Sequence, residues 1–376
     1  MTQNIPIERL TAVADCFPVD GHLLDGIPYG SGHINDTFAL RFAENHTSRR
    51  YILQRINHRV FKDIPSLMDN IARVCRHVRG CLETEGRADA HRRALTLIPT
   101  REGKDVLLDD EGDYWRLYPF IESARTYDII QSHQQAYEAA KAFGLFQRQL
   151  ADLPGPRLHE TIPAFHHTRA RFNAFMNAVE DDACGRAAAA RDEIAFAQSR
   201  EAIVDVLLDQ QAAGILPERI THNDTKINNV MMDVTTHEGL CVIDLDTVMP
   251  GLALYDFGDM MRTATNTAEE DERDLSRIAC DLSRFEALAQ GYLGATRNFL
   301  NDAEIRQLAF SGILITFEIG LRFLTDYLSG DTYFKIHRDG HNLDRARAQF
   351  KLMTSMEDQL DCMQRMVEHA TSDTGR

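Results

Sequence analysis

The sequence predicts an α+β fold of two unequal lobes, with a small antiparallel-sheet lobe over 1–121 and a larger, mainly helical lobe over 122–376. Three observations predict it. Up to about residue 121, short apolar and β-branched runs alternate with turn residues, with one helical stretch between them. Beyond Ser123 the apolar residues recur at three- and four-residue spacings, as on helix faces. Within that helical half a polar segment, 221–229, is followed by a strand-like run, 240–243, that ends in Asp244-Leu245-Asp246.

Taken in order, 7–17 reads as a short helix and 51–56 as a strand. Pro65 opens a helix that runs to about residue 83, and 94–98, 105–108 and 114–121 read as the remaining strands. Helical patterns then occupy the stretch carrying Ala139, Phe143, Phe146 and Leu150, and roughly 166–180, 188–213, 268–293, 303–328 and 341–369. Asn301 followed by Glu304 has the form of a capping box. Repeats and low-complexity segments are absent, so the boundary at 121–123 is a change of secondary-structure type rather than a linker.

Composition narrows the classes. The chain's 376 residues suffice for two lobes and a large core. Asp and Glu number 57 against 41 Lys and Arg, a formal charge of −16, so nucleic acid and anionic membranes are poor partners and a neutral or cationic small molecule is a better one. Seven cysteines with no CxxC pair suggest reduced thiols in a cytoplasmic setting, and 1–10 lacks the form of an export signal. The longest apolar stretch, 308–317, is too short to span a bilayer of ~30 Å. A monomer that meets neither nucleic acid nor membrane is expected.

Thr221-His222-Asn223-Asp224-Thr225-Lys226-Ile227-Asn228-Asn229 places a histidine, an aspartate and an asparagine at the positions of an HxDxxxxN loop, and Asp244 arrives at the end of the next strand. Phosphoryl transfer needs a carboxylate that orients the attacking hydroxyl and takes its proton, and an amide oxygen and a second carboxylate that hold Mg²⁺. Asp224 fits the first role, and Asn229 and Asp244 the second. Asp246 reads equally as a further metal ligand or a solvated carboxylate. Asp256-Phe257-Gly258 matches a kinase metal motif by letters but follows a loop-like segment, so Asp256 is expected to brace the catalytic loop from a helix start.

Gly30-Ser31-Gly32-His33-Ile34-Asn35-Asp36-Thr37 lies between strand-like segments, where its glycines would let backbone N–H groups approach the phosphates of ATP. Gly30, Ser31, Gly32 and Asn35 are therefore nucleotide-site candidates. His33 reads equally as a surface residue or a ligand contact. A kinase usually carries a third-strand cation, and that position here is Gln54 or Arg55. Arg55 is favoured, with Asp69 as its helix partner, against the alternative of a solvated outer-face arginine. Tyr118 and Phe120, at the lobe boundary, are candidates for the adenine site against the plainer reading of core aromatics. Arg322, set among apolar helix residues, implies a partner: a structural acid, or substrate oxygens with Tyr333 supplying a stacking face.

Through His222-x-Asp224-x4-Asn229 and Ile243-Asp244-Leu245-Asp246, the whole chain resembles the aminoglycoside phosphotransferase and choline kinase superfamily. The segments 30–37, 51–57, 60–63 and 221–226 are similar to the N-acetylhexosamine 1-kinase branch. The resemblance implies a protein-kinase-like fold, ATP with Mg²⁺, and phosphorylation of the anomeric hydroxyl of N-acetylglucosamine or N-acetylgalactosamine. By position it makes Asp224 the base and Asn229 and Asp244 metal ligands, and it lines the sugar pocket with His33, Arg322 and Tyr333. The chain departs from the wider superfamily in lacking the third-strand lysine. A kinase of another small alcohol, a Mg²⁺-dependent phosphohydrolase built on Asp244 and Asp246, and a silent nucleotide-binding regulator remain alternatives.

Overall fold

The computed structural model describes residues 5–30, 34–44 and 47–373. Its first part is a five-stranded antiparallel sheet of order β1-β2-β3-β5-β4. The strands are β1 (His22–Pro28), β2 (Asp36–Glu44), β3 (Thr47–Ile56), β4 (Leu107–Leu108) and β5 (Tyr114–Pro119). Strand alternation gives this sheet two different faces. Phe38, Leu40, Phe42, Leu53, Trp115 and Leu117 point to one side, where Leu10, Val13 and Ala14 of α1 (Ile7–Ala14) seal them in a small core. Gln54, Arg116 and Tyr118 point to the other side, toward the helical part.

Helix α2 (Ile64–Thr84) starts where Asp63 caps it, its carboxylate accepting from the Ser66 N–H at 3.1 Å, with a proline in the first turn. Chain order assigns α2 to the sheet lobe, yet its apolar stripe of Ile64, Leu67, Met68, Ile71, Val74 and Val78 belongs to the large core of the helical part. The predicted strand 94–98 is only a bridge from Ile98 to Leu117, after the single turn α3 (Ala90–Arg93). Pro99 has no N–H to extend that ladder.

The second part contains α4 (His133–Gln149), α5 (Thr168–Asp181), α6 (Arg191–Gln198), α7 (Val206–Ala212), α8 (Ala253–Thr265), α9 (Leu282–Thr296), α10 (Asp302–Leu328), α11 (His341–Glu357) and α12 (Leu360–Asp373). The expected helix at 188–213 is broken at Ser199, whose hydroxyl donates to the Phe196 carbonyl at 2.8 Å. Helix α9 begins only at 282, where Asp281 caps the Ser283 and Arg284 N–H groups; the acidic stretch before it is a loop. The 341–369 pattern splits at 358–359. The Asn301–Glu304 capping box is present at the start of α10. By length and composition α10 could cross a membrane, but 83% of its most apolar window is buried inside the protein, as in a core helix.

Two small sheets lie between these helices. β6 (Ala124–Arg125), β8 (Val230–Asp233) and β9 (Gly239–Val242) form one, and β7 (Arg219–Thr221) with β10 (Met249–Gly251) the other. The segment 222–229 leaves β7 and enters β8, and 243–248 leaves β9 and enters β10. Both polar segments therefore emerge side by side beneath the open face of the large sheet.

Candidate active site

The 222–229 loop is held almost entirely from behind. Asp256, in the first turn of α8, accepts from the backbone N–H groups of His222 at 2.9 Å and Asn223 at 2.7 Å, and Gln147 of α4 donates to it at 2.5 Å. Asp259, almost one turn on, accepts from the Thr225 N–H at 3.0 Å. Asp256 is thus a brace rather than a metal ligand, as the loop-like segment before it suggests. His222 donates through Nε2 to the Ile243 carbonyl at 2.9 Å and accepts at Nδ1 from the Asp224 N–H at 3.3 Å, which ties the two polar segments together. Asn223 and Asp244 both lie in the left-handed region, at φ of 65° and 61°. A non-glycine backbone is held there only where its surroundings fix it, and it bends each segment sharply beside a key carboxylate.

Asp224 receives the Asn229 amide at Oδ2, 3.1 Å, and the Lys226 ammonium at Oδ1, 2.9 Å. Burial alone would raise its pKa; the Lys226 charge and these hydrogen bonds outweigh it and hold the carboxyl below the usual range. Lys226 was not singled out by the sequence reading, although it stands two residues beyond the aspartate in the same loop. Asn229 also donates to the Asp224 carbonyl at 2.8 Å, so its Nδ2 faces Asp224 and its Oδ1 is left for another partner. The Ile243 N–H donates to the Asn229 carbonyl at 2.9 Å, which brings the end of β9 against the loop and delivers Asp244 beside it.

Asp244 has no hydrogen bond or ion pair among the described residues. Although its side chain is open to solvent, the protein crowded around it pushes its pKa up to about 6, helped by the charges of Asp246 and Asp224. An unpartnered carboxylate destabilised by neighbouring negative charge, beside a free amide oxygen, is a hard-oxygen donor pair of the kind Mg²⁺ takes. The residues present therefore fit that ion, with Asn229 and Asp244 as its holders.

Asp246 does not join them. It is 3% exposed, and one oxygen faces Arg116 Nη1 while the other accepts from Asn35 Nδ2 at 2.5 Å. Both readings of Asp246 from the sequence are corrected: it is buried rather than solvated, and its two oxygens are taken by protein donors rather than left open for a metal. Accordingly, among the described residues, ligand atoms of the three carboxylates do not gather within 4.8 Å of one another. Asn35 in turn accepts the Asn57 N–H at 3.0 Å, so it fastens the strand after the glycine loop to the lower segment.

Arg55 requires a second correction. It pairs with Asp36 and Asp113 at 2.6 and 3.0 Å and lies over the Trp115 ring, on the α1 side of the sheet. Strand alternation turns it away from the cleft. Asp69 instead meets Arg73 and His159, at 3.6 and 3.3 Å. The cleft face of β3 at this level shows Gln54, and opposite it on β5 stands Arg116. Arg116 is 1% exposed, donates through Nε to Gln54 at 3.0 Å and pairs with Asp246. A charged residue in the middle of the Trp115-Arg116-Leu117-Tyr118 strand was the available signal, since a guanidinium at that position must find a carboxylate.

Gly30 has φ of 82°, open to glycine at no cost. Ser31, Gly32 and His33 lie outside the described residues. Phe120 is half-buried and meets Tyr29 edge-to-face with ring centroids 5.4 Å apart, so an aromatic pair links the lobe junction to the start of the glycine loop. Tyr118 is buried behind the cleft under the Arg116 guanidinium, 5.6 Å from its ring centre, and presents core rather than a wall to a ligand.

A buried polar group that the sequence reading missed joins the loop to α10. His166 directs Nδ1 to Glu318 at 2.7 Å and Nε2 to the Asn223 carbonyl at 3.1 Å, and Thr168 donates to Glu318 at 2.8 Å. Both partners of the imidazole are acceptors, so it is doubly protonated. Burial disfavours that charge, but Glu318 raises the His166 pKa, and His166 lowers that of Glu318 against its own burial. One turn along α10, Arg322 forms no ion pair among the described residues; its guanidinium stands 5.3 to 5.8 Å from the rings of Phe165, Tyr333 and Phe334. The Tyr333 ring is 68% exposed. The acid within reach of the Arg322 charge is Glu318, one turn back on α10, which the guanidinium helps keep ionised without a direct ion pair.

The arrangement can hold a hydroxyl against Asp224 and a divalent cation beside it, under a sheet face carrying Arg116. Known proteins share the fold that presents it. The fold is similar to that of an aminoglycoside phosphotransferase from Alicyclobacillus acidocaldarius, with a TM-score of 0.59, 12% identity and 98% of each chain covered. A spectinomycin phosphotransferase crystallised with ADP and spectinomycin matches with a TM-score of 0.55 and 15% identity over 96% of this chain and 99% of that one. Choline kinase from Cryptosporidium parvum Iowa II gives 0.55 and 14% over 95% and 97%. The fold is therefore protein-kinase-like, with an antiparallel sheet in the first part and helices in the second. The sequence model of the phosphotransferase enzyme family matches residues 25–292, more than half the chain, and this protein belongs to that family.

Proposed function

We propose that this phosphotransferase is an ATP-dependent kinase that phosphorylates the anomeric hydroxyl of an N-acetylhexosamine, giving the sugar 1-phosphate. The observation that carries the kinase reading is Asp224, ionised and fixed by Asn229 and Lys226, one strand end away from the unpartnered Asp244. Asp224 accepts the hydrogen bond of the acceptor hydroxyl and aims its oxygen at the γ-phosphorus. As the new P–O bond forms and the bond to the β-phosphate oxygen breaks, the hydroxyl proton passes to Asp224 and ADP departs. A carboxylate of low pKa is a weak base, but in a loose phosphoryl-transfer transition state orientation matters more than proton affinity. When bound at Asn229 and Asp244, Mg²⁺ supplies neutralisation of charge on the phosphate oxygens. Lys226 keeps a second positive charge at the same end of the cleft.

The acceptor class rests on Arg322 and Arg171. Arg171 of α5 is half-buried and donates to the Phe165 carbonyl at 2.8 Å; its burial and the nearby Arg322 charge lower its pKa against the opposing charge of Glu318. Two neighbouring guanidiniums, that of Arg322 set among aromatic rings, oppose a quaternary ammonium or polyamine acceptor, despite the chain's net charge of −16. They suit hydroxyl and acetamide oxygens, with the exposed Tyr333 ring as a stacking face. The test is ATP consumption over N-acetylglucosamine, N-acetylgalactosamine, choline, homoserine and an aminoglycoside, with phosphorus NMR of the product. Turnover with N-acetylhexosamines and a 1-phosphate signal is expected. Preference for choline or an aminoglycoside would overturn the sugar reading, and phosphate release without any acceptor would favour a hydrolase.

A further inference from the structure

We propose that Arg116, carried by β5 and held by Asp246 and Gln54, is the residue that contacts the nucleotide phosphates in place of a third-strand lysine. The inference rests on the nucleotide-binding reading above and assigns the cation that reading lacks. The sequence offers one cation at the expected position, Arg55, and geometry removes it, because Arg55 faces Trp115 and two acids on the far side of the sheet. Arg116 stands directly across the β3–β5 ladder from Gln54, on the face that covers the catalytic loop.

Three features suit Arg116 to this task. Its Nε and Nη1 are occupied by Gln54 and Asp246, while Nη2 makes no hydrogen bond among the described residues, so the guanidinium is oriented with a donor to spare. Its carboxylate partner, Asp246, stands two residues beyond Asp244 on the same short segment, which places the guanidinium over the metal-holding end of the cleft. Asp246, its anchor, also takes the Asn35 amide, so the strand after the glycine loop and the phosphate cation share one support. A guanidinium fork prefers a planar, two-point grip on phosphate oxygens where an ammonium offers a point charge. Gln54 is then intelligible: a neutral amide at the usual lysine position orients the arginine without repelling it. Asp246 and Gln54 are positioning residues.

The test compares ADP with adenosine, which differ by the phosphates alone, by titration calorimetry. In Arg116→Met the affinity for ADP should fall at least tenfold and that for adenosine stay within twofold. Because removing one partner of a buried pair can unfold a protein, the double variant Arg116→Met with Asp246→Asn, which leaves no unpaired buried charge, should show the same loss of discrimination. Arg116→Met with Gln54→Lys, which returns a cation to the third strand, should recover several-fold in ADP affinity. Equal loss of both ligands, or unchanged discrimination in both Arg116→Met variants, would overturn the assignment. If the unaltered protein binds neither ligand, the nucleotide reading itself falls, and that result is distinct from an unaltered protein that prefers ADP while its Arg116 variants do so equally.

Discussion

Asp224 owes its ionised state to Lys226, and that pairing sets what each substitution should do. Asp224→Asn keeps the shape and the Asn229 contact but cannot take a proton; kcat should fall by about 10²–10⁴ with ADP affinity nearly unchanged, as single-turnover kinetics and calorimetry would show. Arg322→Ala removes donors from the acceptor side only. A charge-assisted hydrogen bond of ~1.5–3 kcal/mol predicts a rise of about 10- to 100-fold in the sugar KM with the ATP KM unaffected. The His166–Glu318 pair makes a pH statement. His166 has a raised pKa, so its stabilisation is complete below about 6.5, the free imidazole value, and is lost as pH rises through the folded value. Glu318 is lowered, so its share is present above 4.5 and lost as pH falls through its folded value. The unfolding free energy of the parent relative to His166→Gln should therefore be greatest between those limits and shrink on both sides.

At the scale of elements, the loop and strand-end acid were legible because chemistry fixes their residue types and their spacing along one chain. Arg116 was not, because its role depends on which strand lies beside β3 and which face of β5 is turned inward, and neither register nor facing is written in a local motif. His166 and Glu318 are 152 positions apart, and nothing local to either points to the other. Helix lengths were overestimated where polar side chains captured backbone groups, at Ser199 and Asp281. Helix α8 shows how packing serves the site: at Gly258 an added Cβ would lie 2.5 Å from the Ser311 carbonyl oxygen of α10, so the two helices cross in close contact. That approach carries Asp256 and Asp259 to the loop. Gly258→Ala should cost about 1–3 kcal/mol of stability and also lower kcat, because the shift needed to admit a methyl moves both braces. Denaturant unfolding alongside initial rates would show whether the two losses occur together.

At the scale of the molecule, the sheet-then-helices order was readable from the switch of hydrophobic period, whereas the ownership of α2 was not, since an amphipathic stripe does not say which core it enters. Its apolar side belongs to the helical body. A fragment ending at residue 121 should accordingly bind a hydrophobic dye and self-associate rather than fold, as sedimentation would reveal. Added Mg²⁺ and ADP at 100-fold excess over Kd should stabilise the whole protein by ~2.7 kcal/mol, and a chelator should remove the metal-dependent part of that shift in a thermal melt. The rooting of α2 bears on control as well. Swinging this helix outward would tear Leu67, Ile71 and Val74 from the main body at about 2–5 kcal/mol for each large side chain stripped from its neighbours. Its amide hydrogens should exchange as slowly as those of α10, and silencing the enzyme by dislodging it is a route this architecture closes.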